Sequence, residues 1–264
     1  MVGGAAGRRR RHRRVTGPIH LVGAGWGGEG TVWAGFLRDA AERAGGATPR
    51  VLVVSVRDLD APEHASKLAQ SLRAQGPVET VLLAVRAGER LPAEVLAGDV
   101  HGLLVGGGLM SEYLDVLAPL AGAIRALVAD GVPYAGFSAG SAIAAERAIV
   151  GGWLHEGLPV VAEDVAEGLA ELSVRNGLGL VPFSVDVHAA QWGTLARLVT
   201  AVEAGMVEWG VAIDEDSALV IRGDEGHVEG AGNAWWAEPA PDGVAVRRET
   251  GRGHSRAPRP LRAR

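Results

Sequence analysis

Ser138 stands in Gly136-Phe137-Ser138-Ala139-Gly140, directly after the apolar run "VPYAGF". A lone hydroxyl at such a turn either caps a helix or attacks something. The spacing G-x-S-x-G is that of a nucleophile elbow, where the strand-to-helix turn is too sharp for larger side chains two residues before and after the serine. A capping serine needs neither glycine. A helix through the alanine-rich stretch after Ser138 would aim its first amides and its positive dipole end at a developing oxyanion.

A serine nucleophile needs a base, and the base needs an orienting acid. The histidines beyond Ser138 are His155, His188, His227 and His254. His254 lies in a basic tail, His155 follows a glycine pair, and His227 sits in the polar stretch "RGDEGHVEG", a turn between hairpin strands. His188 follows "PFSVDV" and opens a helix, so position favours it. For the acid, "AIDEDSALVI" places Asp214, Glu215 and Asp216 together, at the expected turn of a tight hairpin over 211–221. Spacing does not rank the three. The chain has no cysteine, which excludes thiolate chemistry and disulfides. The histidines are scattered, so no metal site and no cofactor is expected.

The elements that must hold these groups alternate. Strands are expected at 18–25, 50–56, 78–85, 99–108 and 132–137, with amphipathic stretches between them. Continuous Val/Leu/Ile runs without period-two alternation imply strands buried on both faces. The fold class is therefore α/β: a doubly wound, mostly parallel sheet with helices on both faces. In such sheets chemistry gathers at the carboxyl ends of the strands, where "GAGWGG", "VGGGLM" and "GFSAG" all fall.

"GAGWGGEG" spells G-x-G-x-x-G at Gly23, Gly25 and Gly28. A dinucleotide site would also need an acid about twenty residues on, at the end of the second strand, and that strand ends only at Asp58 and Asp60. A tight loop beside the cleft, with Trp26 lining it, is the better expectation.

The net charge of −5 conceals two basic ends: residues 1–16 and 247–264 each carry +6, leaving −17 on the body. An acidic body argues against a duplex-binding surface, so no nucleic-acid partner is expected despite the tails. No apolar run is long enough to span a bilayer, and no signal-peptide core follows the N-terminal arginines. The expectation is a cytoplasmic protein without a membrane partner. The domain organisation expected is a basic disordered tail over 1–16, a single α/β hydrolytic domain over 17–246 and a disordered tail over 247–264. Oligomeric state stays open, a homodimer included.

Three segments together resemble the serine peptidases typified by peptidase E, an aspartyl dipeptidase, and cyanophycinase. These are "GFSAGS", "DVHAAQWGTLARL" and "GVAIDEDSA", in that order, with a "VGGG" strand end before the elbow. The resemblance covers roughly residues 18 to 222. It implies a class I glutamine-amidotransferase-like three-layer sandwich, with Ser138 as nucleophile, His188 as general base and Glu215 as orienting acid. It further implies oxyanion donors at the backbone of Ala139 and of Gly107 or Gly108.

The chain also departs from that family. Arginines expected four and six residues after the histidine are replaced by Trp192 and Thr194, and only Arg197 remains. Losing two charge-assisted forks weakens any grip on a carboxylate. Trp192 offers a flat apolar or cation-binding face, or else joins Leu195 and Val199 in a buried stripe. Trp192, Thr194, Arg197 and Trp26 are therefore the candidate substrate contacts. Leu109-Met110 follows the glycines where relatives carry polar residues, and Ser141 replaces an alanine. The expected function is a serine-type hydrolase of a small peptide or amide. A catalytically silent sensor on the same fold and a nucleotide-binding module are the alternatives.

Overall fold

The computed structural model describes residues 17–26, 31–251 and 259–260. The basic stretch 1–16, Gly28 and His254 lie outside the described residues. The strands are β1 (Ile19–Val22), β2 (Arg50–Val56), β3 (Glu79–Val85), β4 (Gly102–Val105), β5 (Tyr134–Phe137), β6 (Arg147–Gly151), β7 (Leu154–His155), β8 (Leu158–Pro159), β9 (Ser173–Asn176), β10 (Ser184–Val187), β11 (Gly210–Ile213), β12 (Ser217–Arg222), β13 (Glu225–Gly230), β14 (Asn233–Ala240), β15 (Gly243–Thr250) and β16 (Arg259–Pro260). The helices are α1 (Ala34–Arg43), α2 (Ala61–Arg73), α3 (Met110–Leu117), α4 (Ala121–Ala129), α5 (Ala139–Ala142), α6 (Ala189–Trp192) and α7 (Leu195–Glu203).

The main sheet has eight strands in the order β16-β13-β12-β1-β5-β4-β2-β3. From β1 to β3 the pairing is parallel, and β12 and β13 extend it antiparallel. β5 slots between β1 and β4, so the carboxyl ends of β1, β4 and β5 stand side by side. Their residues are buried throughout, as runs without period-two alternation imply, and the burial includes His20 of β1. On one face Val22, Val53, Leu104 and Phe137 pack against Phe36 of α1 and Leu68 and Leu72 of α2. On the other, Leu21, Val54, Leu103 and Tyr134 pack against Leu114 of α3 and Ile124 and Val128 of α4. Each such Leu or Phe contributes about 1.5–3 kcal/mol by leaving water. The result is the helix–sheet–helix sandwich expected.

Three local expectations are corrected. Residues 211–221 are not a hairpin: β11 pairs with β10 and β14 in a second, four-stranded sheet, whereas β12 pairs with β1 and β13 in the first. The acidic triplet is a crossing between sheets. The helix after Ser138 is a single turn, because the carbonyls of Ile143, Ala144 and Ala145 are taken by the amides of Leu178, Leu180 and Gly179. The tail boundary at 247 falls inside β15, which pairs along its length with β14, so Arg247 to Thr250 belong to the second sheet.

Candidate active site

β5 delivers Ser138 at φ 52°, ψ −110°, a strained backbone that the surroundings must enforce. The Ser138 amide donates to Val22 O of β1 at 3.1 Å, and Tyr134 Oη donates to Gly140 O at 2.6 Å. Both flanking glycines are obligatory. A Cβ on Gly136 would lie 2.4 Å from the Gly140 carbonyl carbon, and one on Gly140 would lie 2.2 Å from Val105 O. Ser138 makes no side-chain capping bond. Its hydroxyl lies 3.0 Å from His188 Nε2 instead.

His188 closes β10 in the left-handed conformation (φ 58°, ψ 35°), its amide bonded to Gly23 O at 3.1 Å. His188 Nδ1 lies 2.6 Å from Glu215 Oε1. A carboxylate at Nδ1 draws the proton to that nitrogen and leaves Nε2 to accept from the serine hydroxyl. Burial pushes the His188 pKa below the ordinary histidine value, while the Glu215 hydrogen bond and charge act the other way.

The three carboxylates that spacing left unranked have separate duties. Glu215 faces the histidine, and its amide is held by Gln191 Oε1 of α6 at 3.0 Å. Asp214 is buried and accepts from Ala190 N, Asn233 N, Asn233 Nδ2 and Trp235 Nε1 at 2.7–3.1 Å, tying α6 to β14. Asp216 adopts φ 53°, and its amide donates to Ala24 O at 2.8 Å.

These contacts account for the first glycine loop. A Cβ on Gly23 would lie 2.1 Å from Asp214 O, and one on Gly25 would lie 2.5 Å from Asp216 Oδ1. Gly23 and Gly25 are thus used to bring β1 against the segment that carries Glu215. Gly107 closes the site from the β4 side, since a Cβ there would come within 3.0 Å of Ser138 Cβ. Ala139 is the first residue of α5, where an amide has no acceptor within the helix. One turn of helix supplies little macrodipole, so any donor role rests on the amide itself.

Of the candidate substrate contacts, the structure brings two to the cleft and not the others. Trp192 lies parallel to the His188 ring, with centroids 3.5 Å apart, and is 40% exposed. Trp26 also lines the cleft, against Phe137, with the Lys67 ammonium 3.8 Å over its ring. Thr194 is buried, donating to Val187 O at 2.5 Å. Arg197 is buried and forks onto Asp186 through Nε and Nη2, each at 2.8 Å, with Nη1 on Val165 O. The expectation that Arg197 contacts substrate is corrected. Asp186 in the buried strand "SVDV" needs a counter-charge, and Arg197 supplies it.

The cleft has a volume of about 930 Å³ and contains Ser138, His188, Trp192 and Glu215. Its remaining wall carries Asp58, Asp60, Glu63, Glu112, Asp164 and Glu167, against the cations Arg57 and Lys67. Burial raises the Glu167 carboxyl to about 7, Arg197 opposing this only in part. Burial lowers His64, on the same wall, to about 4, with Arg57 adding to the effect. The sequence names Asp214 only as one candidate for the orienting acid and does not reach Gln191: nothing local marks either as a brace between α6, β14 and the segment that carries Glu215.

The chain is similar in sequence and fold to known proteins. The cyanophycinase of Trichormus variabilis is 26% identical over 196 residues, 72% of this chain and 63% of that protein. The cyanophycinase of Synechococcus elongatus is 32% identical over 128 residues, 47% and 37% of the two chains. The chain thus spans less than two thirds of the length of these relatives. Among solved structures, a peptidase from an acI-B1 Actinobacterium superposes with a TM-score of 0.63 at 18% identity, covering 89% of this chain and 95% of the other. A peptidase E-like protein of Listeria monocytogenes gives 0.52 at 17% identity, covering 81% and 98%. The sequence model of peptidase family S51 matches residues 60–229, and this chain belongs to that family.

Proposed function

We propose that the protein is a serine-type hydrolase that cleaves a small peptide or amide through an acyl-enzyme. The observation that carries this reading is the continuous chain from Ser138 Oγ to His188 Nε2 and from His188 Nδ1 to Glu215, at 3.0 and 2.6 Å, opening on a cleft. As Ser138 Oγ bonds to the scissile carbonyl carbon, His188 Nε2 takes the hydroxyl proton. Glu215 holds the imidazole and offsets the charge it gains. The carbonyl oxygen, now anionic, is met by the amides of Ala139 and the glycine loop. His188 returns the proton to the departing amine, the C–N bond breaks, and water attacks the ester by the same route in reverse.

The cleft's charge bears on the substrate. Arg57 is engaged by Asp60 at 2.6 Å, and Lys67 lies over Trp26, so the wall holds a surplus of carboxylates and no free guanidinium fork. A substrate with a neutral or basic side chain at the scissile residue is therefore favoured over an acidic one. A panel of chromogenic aminoacyl and dipeptidyl amides bearing Asp, Ala, Phe, Lys or Arg, run beside the matching esters, tests both parts. Turnover of the neutral or basic members at least about tenfold faster than the Asp member is expected. A preference for Asp would overturn the substrate assignment, and hydrolysis of esters alone would overturn amide cleavage.

A further inference from the structure

A peptide between two glycines turns over at little steric cost, because glycine accepts either sign of φ. Gly106, Gly107 and Gly108 follow β4, and the last two line the cleft beside Ser138. In one orientation the Gly107–Gly108 peptide offers the cleft an N–H. Turned over, it offers a carbonyl oxygen, which would repel an oxyanion.

The structure contains a restraint on that rotation. Gly107 O accepts from Arg57 Nη1 at 3.0 Å and from Tyr113 Oη at 3.1 Å. In a planar trans peptide the Gly108 N–H points away from the Gly107 carbonyl, and therefore away from both donors. Each donor is itself fixed. Arg57 Nε bonds to Asp60 Oδ1 at 2.6 Å, at the foot of α2. Tyr113 is buried in α3, and burial pushes its phenol up to about 12, so it remains a donor across the working pH range. Both residues also crowd the loop from behind, since a Cβ on Gly108 would lie 3.0 Å from Tyr113 Cε2 and 3.5 Å from Arg57 Cγ.

We propose that Arg57 and Tyr113 are positioning residues that lock the Gly107–Gly108 peptide so that the Gly108 amide, rather than that of Gly107, serves the oxyanion. The proposal rests on Ser138 being the nucleophile. Two bonds to the Gly107 carbonyl hold a donor that the glycines alone would leave free to swing; Tyr113 stands outside the cleft lining, and Arg57, which lines it, acts here through its bond to Gly107 O.

A fluorophosphonate reads this directly. Ser138 Oγ forms the O–P bond as His188 Nε2 takes the hydroxyl proton, the P–F bond breaks with loss of fluoride, and the phosphoryl oxygen occupies the oxyanion position. The rate of labelling resolves into KI, which reports approach, and kinact, which reports stabilisation of the charged state. Tyr113→Phe keeps the ring and removes only the hydroxyl. Expected is a fall in kinact of about tenfold or more with KI within about twofold, a larger fall when Arg57→Gln is added, and partial recovery with Arg57→Lys. A residue that only supports the fold would lower the labelled fraction and leave kinact of the folded molecules alone. Labelling of folded Tyr113→Phe at the wild-type rate, or a raised KI at constant kinact, overturns the proposal. Because Tyr113→Phe preserves shape, it decides the matter even if Arg57→Gln fails to fold. Wild-type protein unlabelled at Ser138 would instead remove the nucleophile reading, and this proposal with it.

Discussion

Of the four histidine–carboxylate pairs among the described residues, the two shortest are nearly equal in length, yet only one of those two lies on the cleft. His20 of β1 lies 2.7 Å from Asp39 of α1, and His188 lies 2.6 Å from Glu215. In both, burial is the largest influence and lowers the histidine pKa. The surroundings then diverge. Asp39 is also held by Arg222, with Nη1–Oδ1 and Nη2–Oδ2 at 2.8 Å, so its charge is already spent. His20 is fully buried and its Nδ1 has no hydrogen-bond partner among the described residues. Glu215 carries no arginine, its side chain is 27% exposed, and the other nitrogen of His188 faces a hydroxyl in a cleft. A short histidine–carboxylate contact is therefore not a catalytic signature. A second nitrogen that faces a hydroxyl, a carboxylate without an arginine partner among the described residues and a place on the cleft wall are what separate the pairs.

The largest expected effect sharpens this contrast. Removing Ser138 or His188 should cost on the order of 10⁶ in kcat, because the members of such a unit act together. His20→Gln should leave turnover per folded molecule within about threefold and show its effect in thermal stability, through the loss of a buried charge-assisted bond worth about 1.5–3 kcal/mol. Comparable loss of kcat in the two histidine variants would erase the distinction.

Next comes the carboxylate pair within the crossing segment. Glu215→Gln should lower kcat by about 10²–10⁴ with stability little changed. Asp214→Asn should do the reverse, since its oxygens hold α6 and β14 together. Measured against pH, kcat/KM requires neutral His188, so it should fall on the acid side with a midpoint below 6.5, the ordinary histidine value. Glu215 raises that pKa, so Glu215→Gln should move the midpoint lower still. A midpoint that moves upward would mean that Glu215 does not act on His188.

The smallest effect is assigned to Trp192. Its ring lies flat on the imidazole, and Trp192→Ala should lower kcat about tenfold at most, by freeing the ring to rotate. If KM rises instead while kcat holds, Trp192 is a substrate contact and not a support for the base.

What could be read in advance follows from physical range. The parallel sheet was legible because double-sided burial leaves mostly apolar runs without period-two alternation in β1, β2, β4 and β5, with His20 and Ser55 as buried polar members. The elbow was legible because Gly136 and Gly140 meet across a local turn, although Gly140 also abuts Val105 of β4. The crossing at 214–216 was not, since an acidic triplet between two apolar runs looks the same whether the runs pair with each other or with different sheets. The short α5 was hidden too: its alanines favour helix, and only non-local pairing with 178–181 ends it. Arg197 was singled out for its charge, yet charge alone does not say which carboxylate claims it. The locking of Gly107 was invisible because Arg57 and Tyr113 reach it from different elements.

The most direct test of the central claim is intact-mass analysis of the folded protein after exposure to a fluorophosphonate, with the adduct mapped by peptide sequencing. A single adduct on Ser138, abolished by Ser138→Ala and slowed by Glu215→Gln, is the result expected. Folded protein that takes up no adduct, or one that survives Ser138→Ala, would contradict it.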